Sequence, residues 1–162
     1  MKARLITAIS LGLAAAAMAV MPAAVKAQEA PTDYNYVGIG VGAGGLGGSN
    51  VGLSINSKFT VADQVSVRPG AVSNLNFSNS GQTLVMLPVT YDFNPITNNG
   101  RILPYAGAGL ALETQGSTSV GPMATAGVDY RITDNFTANG AVNLTVAGDT
   151  RVTGTVGIGY NF

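Results

Sequence analysis

The chain contains no cysteine, no histidine and no tryptophan, and only 10% of its 162 residues are charged. The missing cysteines exclude a disulfide framework and any thiolate metal site. Without histidine, the commonest general base and metal ligand is absent. A hydrophobic share of 46% with so little charge is the opposite of the composition that keeps long segments disordered. What the chain has in abundance is glycine, 22 residues of it. Chemistry is poorly supplied, whereas close backbone packing is well supplied.

Lys2 and Arg4 lead into an apolar run from Leu5 to Val20, followed by Pro22 and the small residues Val25 and Ala27. This pattern predicts a signal peptide over residues 1–27, cleaved before Gln28, because the run is short for a membrane-spanning helix of about 20 residues. The expected mature chain, residues 28–162, is a single domain. It keeps five basic residues (Lys58, Arg68, Arg101, Arg131, Arg151) against eight acidic ones, a net charge of −3. No basic cluster remains to neutralise a row of phosphates, so nucleic acid is not an expected partner.

After Gln28, apolar residues alternate with small or polar ones almost to the end, and no stripe at helical spacing runs beyond a few residues. The fold is therefore all-β. Breaks rich in Gly, Asn, Asp, Ser and Pro divide it into strands at 34–43, 51–60, 65–75, 83–93, 101–112, 119–131, 136–146 and 151–162. Eight runs of this kind predict an antiparallel up-and-down barrel.

Alternation alone does not say which face is buried. One parity carries Val37, Ile39, Val41, Leu53, Ile55, Leu87, Val89, Leu110, Val142, Leu144, Val156 and Ile158; the other carries Gly38, Gly40, Ser54, Asn56, Thr90, Gly107, Gly109, Thr125, Asn139, Asn143 and Gly157. The second face is small and weakly polar. A water-facing surface carries far more Lys and Glu, whereas small residues suit the crowded inside of a narrow barrel. The apolar face is thus expected to point outward, into lipid. A soluble lipocalin-like binding barrel is the alternative, and it requires an apolar cavity that this small face does not offer.

The aromatics support the membrane reading. Tyr34, Tyr36, Phe59, Tyr91, Phe93, Tyr105, Tyr130, Phe136, Tyr160 and Phe162 all fall near one end of an up-and-down barrel, and only Phe77 falls at the other. Rings gather at a membrane–water boundary because body and polar tip prefer different solvents. Tyr34, Tyr36, Phe59, Tyr91, Phe93, Tyr130 and Phe136 are accordingly expected as a periplasmic rim. Connections at 61–64, 94–100 and 132–135 lie on that side; those at 44–50, 76–82, 113–118 and 147–150 face outside and are all short.

The signal segment, Leu87-Pro-Val-Thr-Tyr-Asp-Phe93, Pro104-Tyr-Ala-Gly-Ala-Gly109, the Gly127–Phe136 hairpin and the terminal Tyr160-Asn-Phe162 together resemble the small eight-stranded outer-membrane barrels of Gram-negative bacteria, of the OmpA transmembrane-domain type and the opacity-protein-like porin family. The resemblance implies bacterial outer-membrane localisation, lipid as the solvent of the outer face, and recognition of Tyr160 and Phe162 by the barrel-assembly machinery. It implies a monomer with a structural or surface role in the envelope. Unlike opacity proteins, the chain has no long surface loops.

Gly40-Val-Gly42-Ala-Gly44-Gly45 satisfies GxGxxG, but a hairpin rather than a helix follows it, so it reads as lumen packing and not as a nucleotide site. Enzymatic activity is not expected, because Ser with Asp alone lacks a proton acceptor poised near neutral pH. Neither a cofactor nor a metal is expected. The residues of interest are the charges on the small face: Lys58, Arg68, Asp92, Arg101, Asp129 and Arg131 toward the aromatic rim, Glu113 and Arg151 toward the outer mouth. Partly desolvated, they should pair. Either they fill and rigidify the lumen, or they line a narrow path for ions or small polar solutes, biased toward anions.

Overall fold

A computed structural model describes residues 32–45, 51–75, 81–115 and 117–162; the expected signal segment and Phe77 lie outside them. The strands are β1 (Tyr36–Ala43), β2 (Val51–Ala62), β3 (Val65–Val67), β4 (Gly70–Ser73), β5 (Thr83–Asp92), β6 (Ile102–Gln115), β7 (Ser117–Arg131), β8 (Phe136–Ala147) and β9 (Asp149–Asn161). All pairings are antiparallel, and β1 pairs with β2 on one side and β9 on the other. β3 and β4 both lie between β2 and β5 and form one stave, so the barrel closes with eight staves. Closure leaves no edge strand, the condition for a sheet to survive in hydrocarbon, where each orphan backbone group costs several kcal/mol, of order 2–7.

The interruption of the third stave departs from the single strand expected over 65–75, and Pro69 is its cause. Proline has no N–H for the ladder. Arg68 N instead bonds Pro88 O at 3.0 Å, and Ser57 Oγ donates to Pro69 O at 2.6 Å. Two connections are tighter than expected. The ladder runs up to Gln115↔Ser117 and Ala147↔Asp149, so the strands extend through most of 113–118 and 147–150. At the second reversal Gly148 sits at φ +83°, a left-handed conformation that glycine adopts without strain.

The apolar face points outward. Ile39 is 70% exposed, Leu110 60%, Val142 58% and Val156 59%, while Lys58, Asp129, Thr145 and Thr153 on the opposite parity are fully buried. A soluble binding barrel would place these classes the other way round.

The interior is packed by pairing large side chains with glycines. A Cβ at Gly159 would lie 2.6 Å from the Tyr36 ring, and one at Gly127 would lie 2.5 Å from Tyr105 Oη. One at Gly42 would lie 2.5 Å from Val72 Cγ1. Glycine is required at these positions because the facing side chain already fills the space. The lumen is also less uniformly polar than expected: Val72, Leu84, Met86, Ala111 and Met123 form a buried apolar cluster inside it.

Candidate functional site

The inward parity of β2, β5 and β7, with the break between β3 and β4, brings Lys58, Asp92, Asp129 and Arg68 to one level of the barrel. Arg68 Nη2 lies 2.9 Å from both Asp92 Oδ1 and Asp129 Oδ2, and Lys58 Nζ lies 3.2 Å from Asp92 Oδ2. Two cations face two anions, so the cluster is neutral as a whole. Every charge has further partners. Arg68 Nε donates to Thr90 Oγ1 at 3.0 Å and Nη1 to Tyr36 Oη at 3.2 Å. Ser66 Oγ donates to Asp92, and Lys58 Nζ donates to Thr32 O at 2.5 Å. Asp129 accepts from Tyr34 Oη at 2.7 Å and Tyr36 Oη at 3.2 Å. The Lys58 ammonium sits 3.5 Å above the Tyr34 ring and the Arg68 guanidinium 3.6 Å above Tyr105. Pairing of this completeness is what makes a buried charge tolerable.

Arg101 and Arg131 stand apart from this cluster. Arg101 is exposed and reaches only Ile132 O, at 3.4 Å, while Arg131 is half-buried with its guanidinium 5.3 Å from the Tyr34 ring. Glu113 and Arg151 meet at the opposite mouth, 3.1 Å apart. Gln82 Nε2 donates to Glu113 Oε1 at 2.6 Å, and Arg151 Nη1 donates to Gly45 O at 3.0 Å.

The aromatics divide between the two faces. Tyr91, Phe93, Tyr130, Phe136, Tyr160 and Phe162 are exposed on the outside, with edge contacts between Tyr91 and Phe93 (5.2 Å) and between Phe136 and Tyr160 (5.6 Å). Phe59 is covered, with Phe162 against it at 6.3 Å. Tyr34 and Tyr36 correct the expected rim: at 7% and 2% exposure they are inside the barrel, as is Tyr105. The physical reason is parity. Tyr36 alternates in phase with Gly38 and Gly40, and Tyr105 with Gly107 and Gly109, so their hydroxyls are delivered to the charges rather than to lipid headgroups. That phase relation was present in the sequence and identifies them.

Between the charge cluster and the apolar layer lies a cavity of about 50 Å³, lined by Tyr36, Arg68 and Tyr105 at one end and Val72 and Met86 at the other. Its walls mix apolar residues such as Ile55, Pro88 and Ala141 with polar ones. Asn139 Nδ2 donates to Asn56 Oδ1 at 3.1 Å, and Thr125 Oγ1 to Asn143 Oδ1 at 2.8 Å. Ser54 Oγ and Asn56 Nδ2, on two lining residues, have no protein partner, and they suit a bound water. The structure thus stacks four layers along the barrel axis: charge cluster, small cavity, apolar layer and mouth ion pair. Among the described residues no group of three or more acidic side chains is placed to hold a metal.

Several solved barrels share the architecture. The N-terminal β-barrel domain of Pseudomonas aeruginosa OprF superposes with a TM-score of 0.62 at 19% identity, covering 80% of this chain and 96% of that one. Ail, the attachment invasion locus protein of Yersinia pestis, gives 0.56 at 15% identity, covering 80% and 98%. A de novo designed transmembrane β-barrel gives 0.59 at 17% identity, covering 84% and 100%. At these identities the likeness is one of fold. No curated protein sequence matches the chain. The sequence model of the family described as "Outer membrane protein beta-barrel domain" matches residues 13–162. A closed barrel with its apolar face outward and a family match over nearly the whole length lead to one conclusion: the chain belongs to the outer membrane protein β-barrel family.

Proposed function

We propose that this protein is a sealed structural barrel of the bacterial outer membrane: exported by a cleaved leader over 1–27, assembled through its terminal Tyr160 and Phe162 by the barrel-assembly machinery, and resident as a monomer with its aromatic end toward the periplasm. The observation that carries the reading is the filled lumen. Four interlocked charges at one level and five apolar side chains at another leave a cavity of about 50 Å³ between them. Eight strands enclose an interior just wide enough for side chains, so a solute path requires some of them to move. No catalytic role is proposed, because each inward carboxylate is committed to an arginine or lysine, including Asp92, whose neighbour Ser66 faces a carboxylate already held by Arg68 and Lys58. The fold likeness to a designed barrel agrees with a scaffold role, since the architecture by itself prescribes no activity.

The polar wall of Asn56, Asn139, Asn143 and Thr125 favours one second reading, a narrow channel for ions or small polar solutes. Planar-bilayer recording of the refolded protein separates the two. The sealed barrel gives no stable conductance steps above detergent background; reproducible steps from the wild type establish the channel instead. Membrane fractions washed with carbonate should retain the protein, and unboiled and boiled samples should migrate differently on gels.

A further inference from the structure

Two barriers stand in series along the lumen, and they are of different kinds. The charge cluster closes the lumen with ion pairs and hydrogen bonds, its cations lying against the Tyr34 and Tyr105 rings. The apolar layer offers an approaching ion no charge and few polar groups. Leu84 and Met86 come to it from β5, Ala111 from β6, Met123 from β7 and Val72 from β4. Val72 reaches past β2 to the backbone of Gly42 on β1. The opposite arc, Asn143, Thr145 and Thr153, is polar but itself 0–4% exposed. Polar surface flanks the layer on both sides: Ser54, Asn56 and Asn139 toward the cavity, Thr83, Gln82 and Glu113 toward the mouth.

We infer that the layer of Val72, Leu84, Met86, Ala111 and Met123 is a hydrophobic gate, the dry constriction that holds ions and water back, while the Lys58–Arg68–Asp92–Asp129 cluster is a brace that holds the barrel's shape. A mostly apolar constriction with polar groups on either side blocks conduction by excluding water, so an ion must shed its hydration to pass. Methionine suits the role: unbranched and flexible, Met86 and Met123 fill the irregular space that β-branched residues cannot. Making the layer polar should wet it; neutralising a charge in the brace should weaken folding and leave the seal in place.

This inference rests on the sealed-barrel reading, and the experiment keeps the two apart. Refolded wild type, the double variant Met86→Ser/Met123→Ser and Asp129→Asn are compared in planar bilayers, each first shown to be folded by heat-modifiable gel mobility. The expected result is a silent wild type, a silent Asp129→Asn, and a serine double variant whose conducting events are about tenfold or more as frequent. If the double variant does not fold, Met123→Gln, nearly unchanged in length, carries the same expectation. A folded, silent serine or glutamine variant beside a conducting Asp129→Asn overturns the gate and leaves the sealed barrel standing. Stable steps from the wild type overturn the sealed barrel itself.

Discussion

The two ion-paired sites in the lumen use the same residue types on the same inward parity, yet they are built differently. In the cluster at the aromatic end, Asp129 is held by Arg68, Tyr34 and Tyr36, and Asp92 by Arg68, Lys58 and Ser66. At the mouth, Arg151 is 20% exposed along its side chain, and both Arg151 Nε and Glu113 Oε2 lack a partner. The difference is what surrounds the charges. Tyrosines laid against glycines bring hydroxyl donors to the first site and shut out water. The second keeps Glu113 buried but Arg151 only partly covered, and it leaves two buried polar atoms without a protein partner. Complete pairing makes a buried site rigid, whereas an incompletely paired and partly exposed ion pair contributes little.

The sharpest way to break this contrast is to remove one partner from the buried side. Asp129→Ala leaves the buried cluster with two cations against one anion and two tyrosine hydroxyls without their acceptor, and should lower the free energy of unfolding by about 3–5 kcal/mol, measured by urea titration in lipid vesicles. Next in size is an attack on the packing that delivers those hydroxyls. Gly159→Val drives a side chain into the space of the Tyr36 ring and should cost about 1–3 kcal/mol, with a Tyr36→Ala background relieving much of the penalty if the clash is the cause. The smallest effect belongs to the mouth: Glu113→Gln should shift the urea midpoint by less than about 1 kcal/mol in equivalent stability. A mouth substitution as damaging as Asp129→Ala would show that completeness of pairing is not what separates the two sites.

Most of the fold was legible because a barrel in lipid writes one simple pattern. Outward Val, Ile and Leu alternate with inward Gly, Thr and Asn, and the closure that lipid demands makes the strand count nearly sufficient for the topology. Boundaries were less legible: the ladder carries β6 through to Gln115 and β8 to Ala147, where polar composition suggested loops, because tight reversals such as Gly148 need a single permissive residue. The strand expected at 65–75 breaks at Arg68 and Pro69, a local consequence of the missing proline N–H.

The charged pairs were legible in kind but not in membership. Arg68, Asp92, Asp129 and Lys58 come together, yet Arg101 and Arg131, equally inward by parity, sit where the strands end and solvent begins. Tyr34 and Tyr36 counted as rim because ring positions along the strand were weighed above phase. The apolar layer went unrecognised for a related reason. Its five members come from four strands, and each looks like an isolated exception on a polar face until the register brings them level.

Everything rests on the apolar parity touching acyl chains, and the absence of native tryptophan makes that directly measurable. Val142→Trp and Leu110→Trp place single fluorophores at outward positions, read in vesicles of lipids brominated along their tails and again with aqueous acrylamide. The barrel described above predicts strong quenching by brominated tails and little by acrylamide at both sites. Fluorescence indifferent to bromine, whether shielded from acrylamide or open to it, would contradict it.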